Sequence, residues 1–266
     1  MTDKVKNYYE LLPKDLKQER KFDANYKKHY IQPCSMICCI GGTGSGKTNA
    51  LIDFLSRQNN AFYDIIIFSG STVEEPLYNL LKQKMPEIQL YNNIEEFPSL
   101  SEFDDENKDQ EKLVVLDDFI NLKAKDMKKL NEYLTAGRKF GFTVWCMAQN
   151  YTSVPKVVIR NLNYIIMFKL NDNVSINNII KNHNIHDIDK EKFKDCYMKA
   201  TSEPRQFFMI DMKGPIETHL RQNFLNFYDV KKDVKHETPK QNQESFNEKV
   251  FKQIQASRSK PKKQLI

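Results

Sequence analysis

The run Gly41-Gly42-Thr43-Gly44-Ser45-Gly46-Lys47-Thr48 gathers four of the chain's eight glycines into six residues and closes on a lysine and a threonine. It meets the spacing of a phosphate-cradling loop at every required position. Glycine has no Cβ, so successive backbone N–H groups can converge on phosphate oxygens, and the helix that follows adds the positive end of its dipole. In such a loop Lys47 reaches the β- and γ-phosphates of a nucleoside triphosphate and Thr48 ligates Mg²⁺. The expected ligands are therefore ATP and Mg²⁺, with Gly41, Gly42, Thr43, Gly44, Ser45, Gly46, Lys47 and Thr48 as the binding residues.

Hydrolysis needs more than a cradle. Leu113-Val114-Val115-Leu116-Asp117-Asp118 is an apolar strand that ends in two carboxylates. Asp117 is expected to hold Mg²⁺ through water, and Asp118 to point at the γ-phosphate and polarise the attacking water. An acid in the second position favours ATP hydrolysis over phosphoryl transfer to a small acceptor. Thr143-Val144-Trp145-Cys146-Met147-Ala148 delivers Gln149-Asn150 to the same sheet edge, where a neutral amide can hydrogen-bond both the water and a phosphate oxygen. Arg138 follows Gly137 between a helical pattern and a strand, so it is expected to be exposed. In an oligomer such an arginine can reach a neighbour's γ-phosphate, an arrangement worth roughly 10³ to 10⁵ in rate. An ordinary solvated arginine has the same local sequence.

These residues need a buried parallel sheet behind them. Ser35 to Ile40 is an apolar run leading into the glycine loop, and Leu51, Ile52 and Leu55 form a helical stripe after it. Further strand-like runs cover Asp64 to Ser69, Leu113 to Leu116, Thr143 to Ala148, Tyr164 to Lys169 and Gln206 to Met212, with helical patterns between most of them. Thr72 and Glu75 read as a capping box ahead of Pro76, with Leu77, Leu80 and Leu81 as the buried stripe. Met127, Leu130 and Leu134 define the apolar face of Ala124 to Ala136, with Gly137 as its stop. Asn171-Asp172-Asn173 reads as a cap for two short amphipathic helices marked by Ile176, Ile179 and Ile180, then Phe193 and Tyr197. Asn92 to Lys112, with Asp104-Asp105-Glu106 at its centre, reads as an exposed acidic connection. The fold class is α/β, with a P-loop domain over 31–215 between an extension at 1–30 and a basic, largely disordered tail at 216–266.

Charge is concentrated at one end. Residues 231–266 hold ten Lys/Arg and four Asp/Glu, which accounts for the whole formal charge of +6. Arms of this composition hold nucleic acid by neutralising phosphate, and solubilising tails and nuclear-entry signals share it. At the other end Tyr9, Phe22, Tyr26 and Tyr30 are interleaved with lysines, a pattern that either pins the extension to the core or stacks on bases. No apolar run reaches the roughly 20 residues that span a bilayer, and the N-terminus lacks the apolar core of a signal peptide, so a soluble, non-secreted protein is expected. Five cysteines is an odd number, and Cys38, Cys39 and Cys146 fall in core strands, as expected of free thiols in a reducing compartment. His183 and His186 with Cys196 lack further ligands at zinc-like spacing and read as surface helix residues.

Taken in order, these features resemble the FtsK/HerA superfamily of ring ATPases, and within it the genome-packaging ATPases of poxviruses, giant viruses and virophages. The resemblance runs from about His29 to Asp211. It rests on His29 to Pro33 leading into the loop, Asp117-Asp118, Gly137-Arg138-Lys139, Ala148-Gln149-Asn150, Ile159-Arg160-Asn161 and Tyr197 to Thr201. Cellular relatives have glutamate where Asp118 stands, whereas the viral branch resembles this chain in its Asp-Asp pair. The resemblance implies a RecA-like fold of the ASCE class with a mostly parallel sheet flanked by helices. It implies a homo-oligomeric ring of five or six subunits that threads double-stranded DNA into a preformed capsid in the host cytoplasm. Arg138 matches the intersubunit arginine, Arg160 is the alternative to it, and Gln149 matches the polar sensor; capsid or portal vertex proteins would be partners. Lys123, Lys125, Lys128 and Lys129 either touch DNA or form a solvated helix face.

Other classes fit less well. A cellular or plasmid-type DNA pump or helicase shares the sheet but usually brings membrane segments or extra DNA-binding domains. A GTP-dependent switch needs an Asn-Lys-x-Asp guanine motif, which this chain lacks. A non-catalytic ATP-binding capsid-assembly factor has no need of Asp118, Arg138 and Gln149 together.

Overall fold

A computed structural model describes residues 7–13, 24–58, 61–71, 75–103, 110–183, 185 and 188–229. Strands β1 (Met36–Ile40), β2 (Ile65–Ser69), β4 (Lys112–Asp117), β5 (Phe142–Ala148) and β6 (Tyr164–Met167) are almost wholly buried, as runs such as Met-Ile-Cys-Cys-Ile require. A short strand β3 (Gln89–Tyr91) pairs parallel to β2 at the edge. With β7 (Phe208–Asp211), β8 (Leu220–Gln222) and β9 (Asn226–Phe227), the sheet has nine strands in the order β3-β2-β4-β5-β1-β6-β7-β8-β9. The first six in that order are parallel, and β7 to β9 continue antiparallel.

Alternate strand residues feed two cores. Ile37, Cys39, Val115 and Trp145 face α1 (Lys47–Arg57) and α2 (Pro76–Lys84), which contribute Leu51, Phe54, Tyr78 and Leu81. Met36, Cys38, Ile40, Val114 and Cys146 face α3 (Ala124–Ala136), α4 (Lys156–Asn161), α5 (Asn173–Asn182) and α6 (Lys190–Ala200), which contribute Leu130, Val158, Ile179 and Phe193. All five cysteines are buried free thiols, and burial pushes that of Cys38 up to about 12.

Several local expectations shift. The sheet passes residue 215: β8 and β9 lie within the span expected to be tail, and only 230–266 falls outside the described residues. The cause is Arg221, fully buried on Asp211, a contact between positions whose pairing a local reading cannot see. Thr72 lies outside the described residues, and the N-cap of α2 is Glu75 itself, whose carboxylate accepts from the Leu77 amide. Gly137 keeps a right-handed conformation, its space closed by Phe142 and Val144, and the chain runs on through a 3₁₀ turn to Gly141 at φ 87°. Within the connection after β3, Phe97 and Leu100 are buried and Pro98 accepts from the Tyr133 hydroxyl; Asp104, Asp105 and Glu106 lie outside the described residues. Phe22 is also outside them, while Tyr26, His29 and Tyr30 pack together, with His29 edge-on to Phe54 and Tyr30 edge-on to Phe227. Asp172 caps α5 by accepting from the Ser175 amide at 2.6 Å.

Candidate active site

The parallel strands bring the glycine loop, the carboxylates and Gln149 to one edge. Register aligns Ile40 with Ala148 across β1 and β5, and Leu116 with Cys146 across β4 and β5. Gly41, Asp117-Asp118 and Gln149 therefore leave the same end of the sheet. One strand, β5, separates β1 from β4, which sets the loop and the carboxylates about 10 Å apart, two strand spacings. Gln149 sits in that interval, exposed, and the Gly41 amide donates to the Ala148 carbonyl beside it.

Three of the four loop glycines are required by the geometry. A Cβ on Gly41 would lie 2.5 Å from Ser45 Oγ and 2.8 Å from Phe168 Cβ, while Gly44 and Gly46 take φ of 74° and 113°. Gly46 is the left-handed N-cap of α1, so the first amides of that helix open toward the loop. Lys47 Nζ donates to the carbonyls of Gly41 at 2.7 Å and Gly42 at 3.2 Å, which hold the ammonium across the loop. Thr48 stands half-buried in the first turn of α1, Gly42, Thr43 and Gly44 are exposed, and the buried Ser45 hydroxyl has no hydrogen-bond partner among the described residues. Solvent-open amides, one cation and a hydroxyl in the helix's first turn form a donor set that suits a phosphate chain with its metal.

Asp117 is half-buried at the end of β4, where its Oδ2 accepts from the Tyr78 hydroxyl at 2.8 Å. Burial raises its carboxyl above the ordinary carboxylate range; the Tyr78 bond opposes this, Asp118 adds to it and Lys47 opposes it. Tyr78, in turn, is held well above the usual phenol range, first by burial and then by Asp117. Asp118 takes a left-handed conformation at φ 48° and ψ 31°. Gly70 makes that turn possible: its amide donates to the Asp117 carbonyl at 2.9 Å, and a Cβ there would collide with the Asp118 carbonyl oxygen. Neither Tyr78 nor Gly70 stands out in the sequence, since one reads as a core aromatic and the other as a loop residue after β2. Asn150 caps the turn after Gln149 by accepting from the Ser153 amide at 2.9 Å, and Tyr151 ties that turn to His183 through its hydroxyl at 2.7 Å and to Ser175 Oγ through its amide at 3.3 Å. His186 lies outside the described residues.

Arg138 and Arg160 are not brought to this edge. Both are exposed and line one cavity of about 260 Å³ with Ser35, Met36 and Asn163, at the opposite ends of β1, β5 and β6. The five residues of β1 put roughly 16 Å between that cavity and the glycine loop. Lys213 Nζ donates to Ser35 Oγ at 3.3 Å in the same neighbourhood; burial depresses its ammonium, and Arg138 depresses it further. Lys129 spans to the Ile94 and Glu95 carbonyls, whereas Lys123, Lys125 and Lys128 are exposed around α3.

Comparison with known proteins adds three findings. The fold matches B204, the DNA-packaging ATPase from Sulfolobus turreted icosahedral virus, at a TM-score of 0.50 and 14% identity, over 73% of this chain and 98% of that one. It matches EssC (ATPases 2 and 3) from Geobacillus thermodenitrificans at a TM-score of 0.51 and 13% identity, over 85% of this chain and 44% of that one. At such identities the likeness is one of fold alone. No curated protein sequence matches the chain. The profile of the family described as Poxvirus A32 protein covers residues 19–212, well over half of the chain, so this P-loop ATPase belongs to the poxvirus A32 protein family.

Proposed function

We propose that this ATPase is a double-stranded DNA translocase that packages a viral genome into a preformed capsid, acting as a homo-oligomeric ring of five or six subunits at the capsid or portal vertex in the host cytoplasm. The observation that carries the reading is the division of labour between the two ends of the sheet. Loop, carboxylates and Gln149 share one end; Arg138 and Arg160 share the other, too far away to serve their own nucleotide. An arginine that acts on phosphate from there must act on a neighbour's. The DNA-packaging description of B204 supports the same reading.

In this mechanism the amides of Gly41 to Gly46 and the Lys47 ammonium hold the β- and γ-phosphates. Thr48 and Asp117 would hold Mg²⁺, which supplies charge neutralisation between those phosphates when bound. Tyr78 orients Asp117 through its hydrogen bond. Asp118 accepts a proton from water as the water oxygen bonds to the γ-phosphorus; the bond to the β–γ bridging oxygen breaks, giving ADP and phosphate. Gln149 hydrogen-bonds the γ-phosphate, so its loss is felt in the Asn150–Ser153 turn and, through Tyr151, in α5.

The test is ATP turnover by the full chain with and without double-stranded DNA. Turnover stimulated by DNA and abolished in Lys47→Ala is expected. ATP binding without turnover under either condition would instead assign the chain to non-catalytic capsid assembly.

A further inference from the structure

One arginine does lie beside its own phosphate loop. Because β7 runs antiparallel to β6, with Met167 opposite Phe208, the residues entering β7 return to the sheet edge from which the glycine loop springs. There the stem of Arg205 packs on the last loop glycine: a Cβ built on Gly46 would lie 3.4 and 3.5 Å from Arg205 Cβ and Cγ, and 3.2 Å from Phe168 Cε1. Arg205 is exposed and takes φ 64°, a left-handed conformation that a non-glycine residue keeps only where its surroundings hold it. Asn223 ties down the two residues that follow Arg205. Its Oδ1 accepts from the Phe207 amide at 3.1 Å, its amide donates to the Phe207 carbonyl at 2.9 Å, and its Nδ2 donates to the Gln206 side-chain oxygen. No ion-pair partner of Arg205 occurs among the described residues.

Position along the strand order gives this arginine a target. The carboxylates and Gln149 lie on the β5–β4 side of β1, so the γ-phosphate of a bound triphosphate faces that way. The other end of the chain of phosphates, with the nucleoside, then runs toward β6 and β7, where Phe168 and Arg205 stand. We propose that Arg205 binds the nucleotide in cis from its nucleoside side, with its guanidinium on the α-phosphate. A planar, permanently charged fork suits a phosphate there, and it is distinct from Arg138 and Arg160 at the far end of the sheet. This rests on the nucleotide reading of the glycine loop.

Calorimetric titration of the full chain with ADP and with the slowly hydrolysed ATPγS, both with Mg²⁺, tests it. Arg205→Ala and Arg205→Gly are expected to weaken both ligands by the same factor, about tenfold for one charge-assisted contact, with partial recovery in Arg205→Lys. Arg205→Gly removes the guanidinium while relaxing the left-handed backbone, so its melting temperature should equal or exceed that of the parent while its affinity falls. Unchanged ADP affinity in the Ala and Gly variants, with Lys47→Ala losing it, would overturn the proposal and leave the loop reading standing. A loss confined to ATPγS would overturn it too, because the guanidinium would then act at the γ-phosphate. Failure of the parent chain to bind either nucleotide would remove the loop reading and this inference together.

Discussion

At the scale of single residues, the sheet edge that carries the glycine loop combines groups that local stability disfavours. Asp117 ends β4 half-buried, and burial outweighs the Tyr78 hydrogen bond, so its folded-state carboxyl lies above the ordinary carboxylate value. A raised carboxyl binds its proton more tightly in the fold than in the unfolded chain. The stabilisation it gives is therefore present at acid pH and is lost as pH rises through the raised value, so at neutral pH the ionised group works against folding. Asp117→Asn should then raise the melting temperature of the nucleotide-free protein at pH 7 by roughly 2–4 °C, the equivalent of about 1 kcal/mol in a domain of this size. The same variant should lose ATP turnover. A lower melting temperature at pH 7 would show that the carboxylate is not held at a cost. The loop and the carboxylate pair were legible in the sequence because both are marked by residue types at fixed spacing. Tyr78, Gly70 and Arg205 were not, because each meets the site through a contact that only strand order creates: α2 over β4, the end of β2 beside Asp118, and the reversal into β7 beside Gly46.

Among elements, the longer buried strands were legible, β7 among them, whereas the short strands β3, β8 and β9 were not. Continuous apolar runs mark strands buried on both faces, whereas Leu220–Gln222 and Asn226–Phe227 are too short and too mixed to show a period. What fixes them is Arg221. Its Nη2 donates to Asp211 Oδ2 at 2.8 Å and its Nη1 to the carbonyls of His29 and Phe224, both at 3.3 Å, while the guanidinium lies over the rings of Tyr30 and Phe227. Burial depresses the guanidinium, Asp211 counters this, and Asp211 Oδ1 also accepts from the amides of Lys213 and Gly214. The pair therefore joins the N-terminal approach to the glycine loop with the strands beyond β6. Arg221→Met leaves Asp211 as a buried charge without its partner and should cost about 3–5 kcal/mol, read as a fall in the denaturation midpoint. Adding Asp211→Leu should recover a large part of that loss, since the uncompensated charge goes with it. A single variant as stable as the parent would mean the hairpin is held by its aromatic contacts alone.

For the whole molecule, the decisive feature is polarity across the sheet. In the proposed ring, a subunit with its nucleotide at one end and two exposed arginines about one strand length away at the other would complete its site when one copy's Arg138–Arg160 cavity faces the next copy's glycine loop. Both arginines line one cavity, so in that ring Arg138, or Arg160 as its alternative, would be placed to reach the neighbour's γ-phosphate. Arg138→Ala should keep ATP binding, since it is far from its own loop, and should lose turnover by about 10³-fold or more. Asp118→Asn should also bind ATP and stall. Mixed in equal amounts, the two inactive proteins should regain turnover, because an Asp118→Asn subunit lends its intact arginine to a neighbour whose own carboxylates are intact. Arg160→Ala in the same mixture should regain turnover as well, and a double Arg138→Ala, Asp118→Asn chain mixed with itself should regain none. If neither arginine variant is rescued by Asp118→Asn at concentrations where the mixture assembles, the arginine edge and the nucleotide edge do not meet between subunits, and the ring reading falls with them.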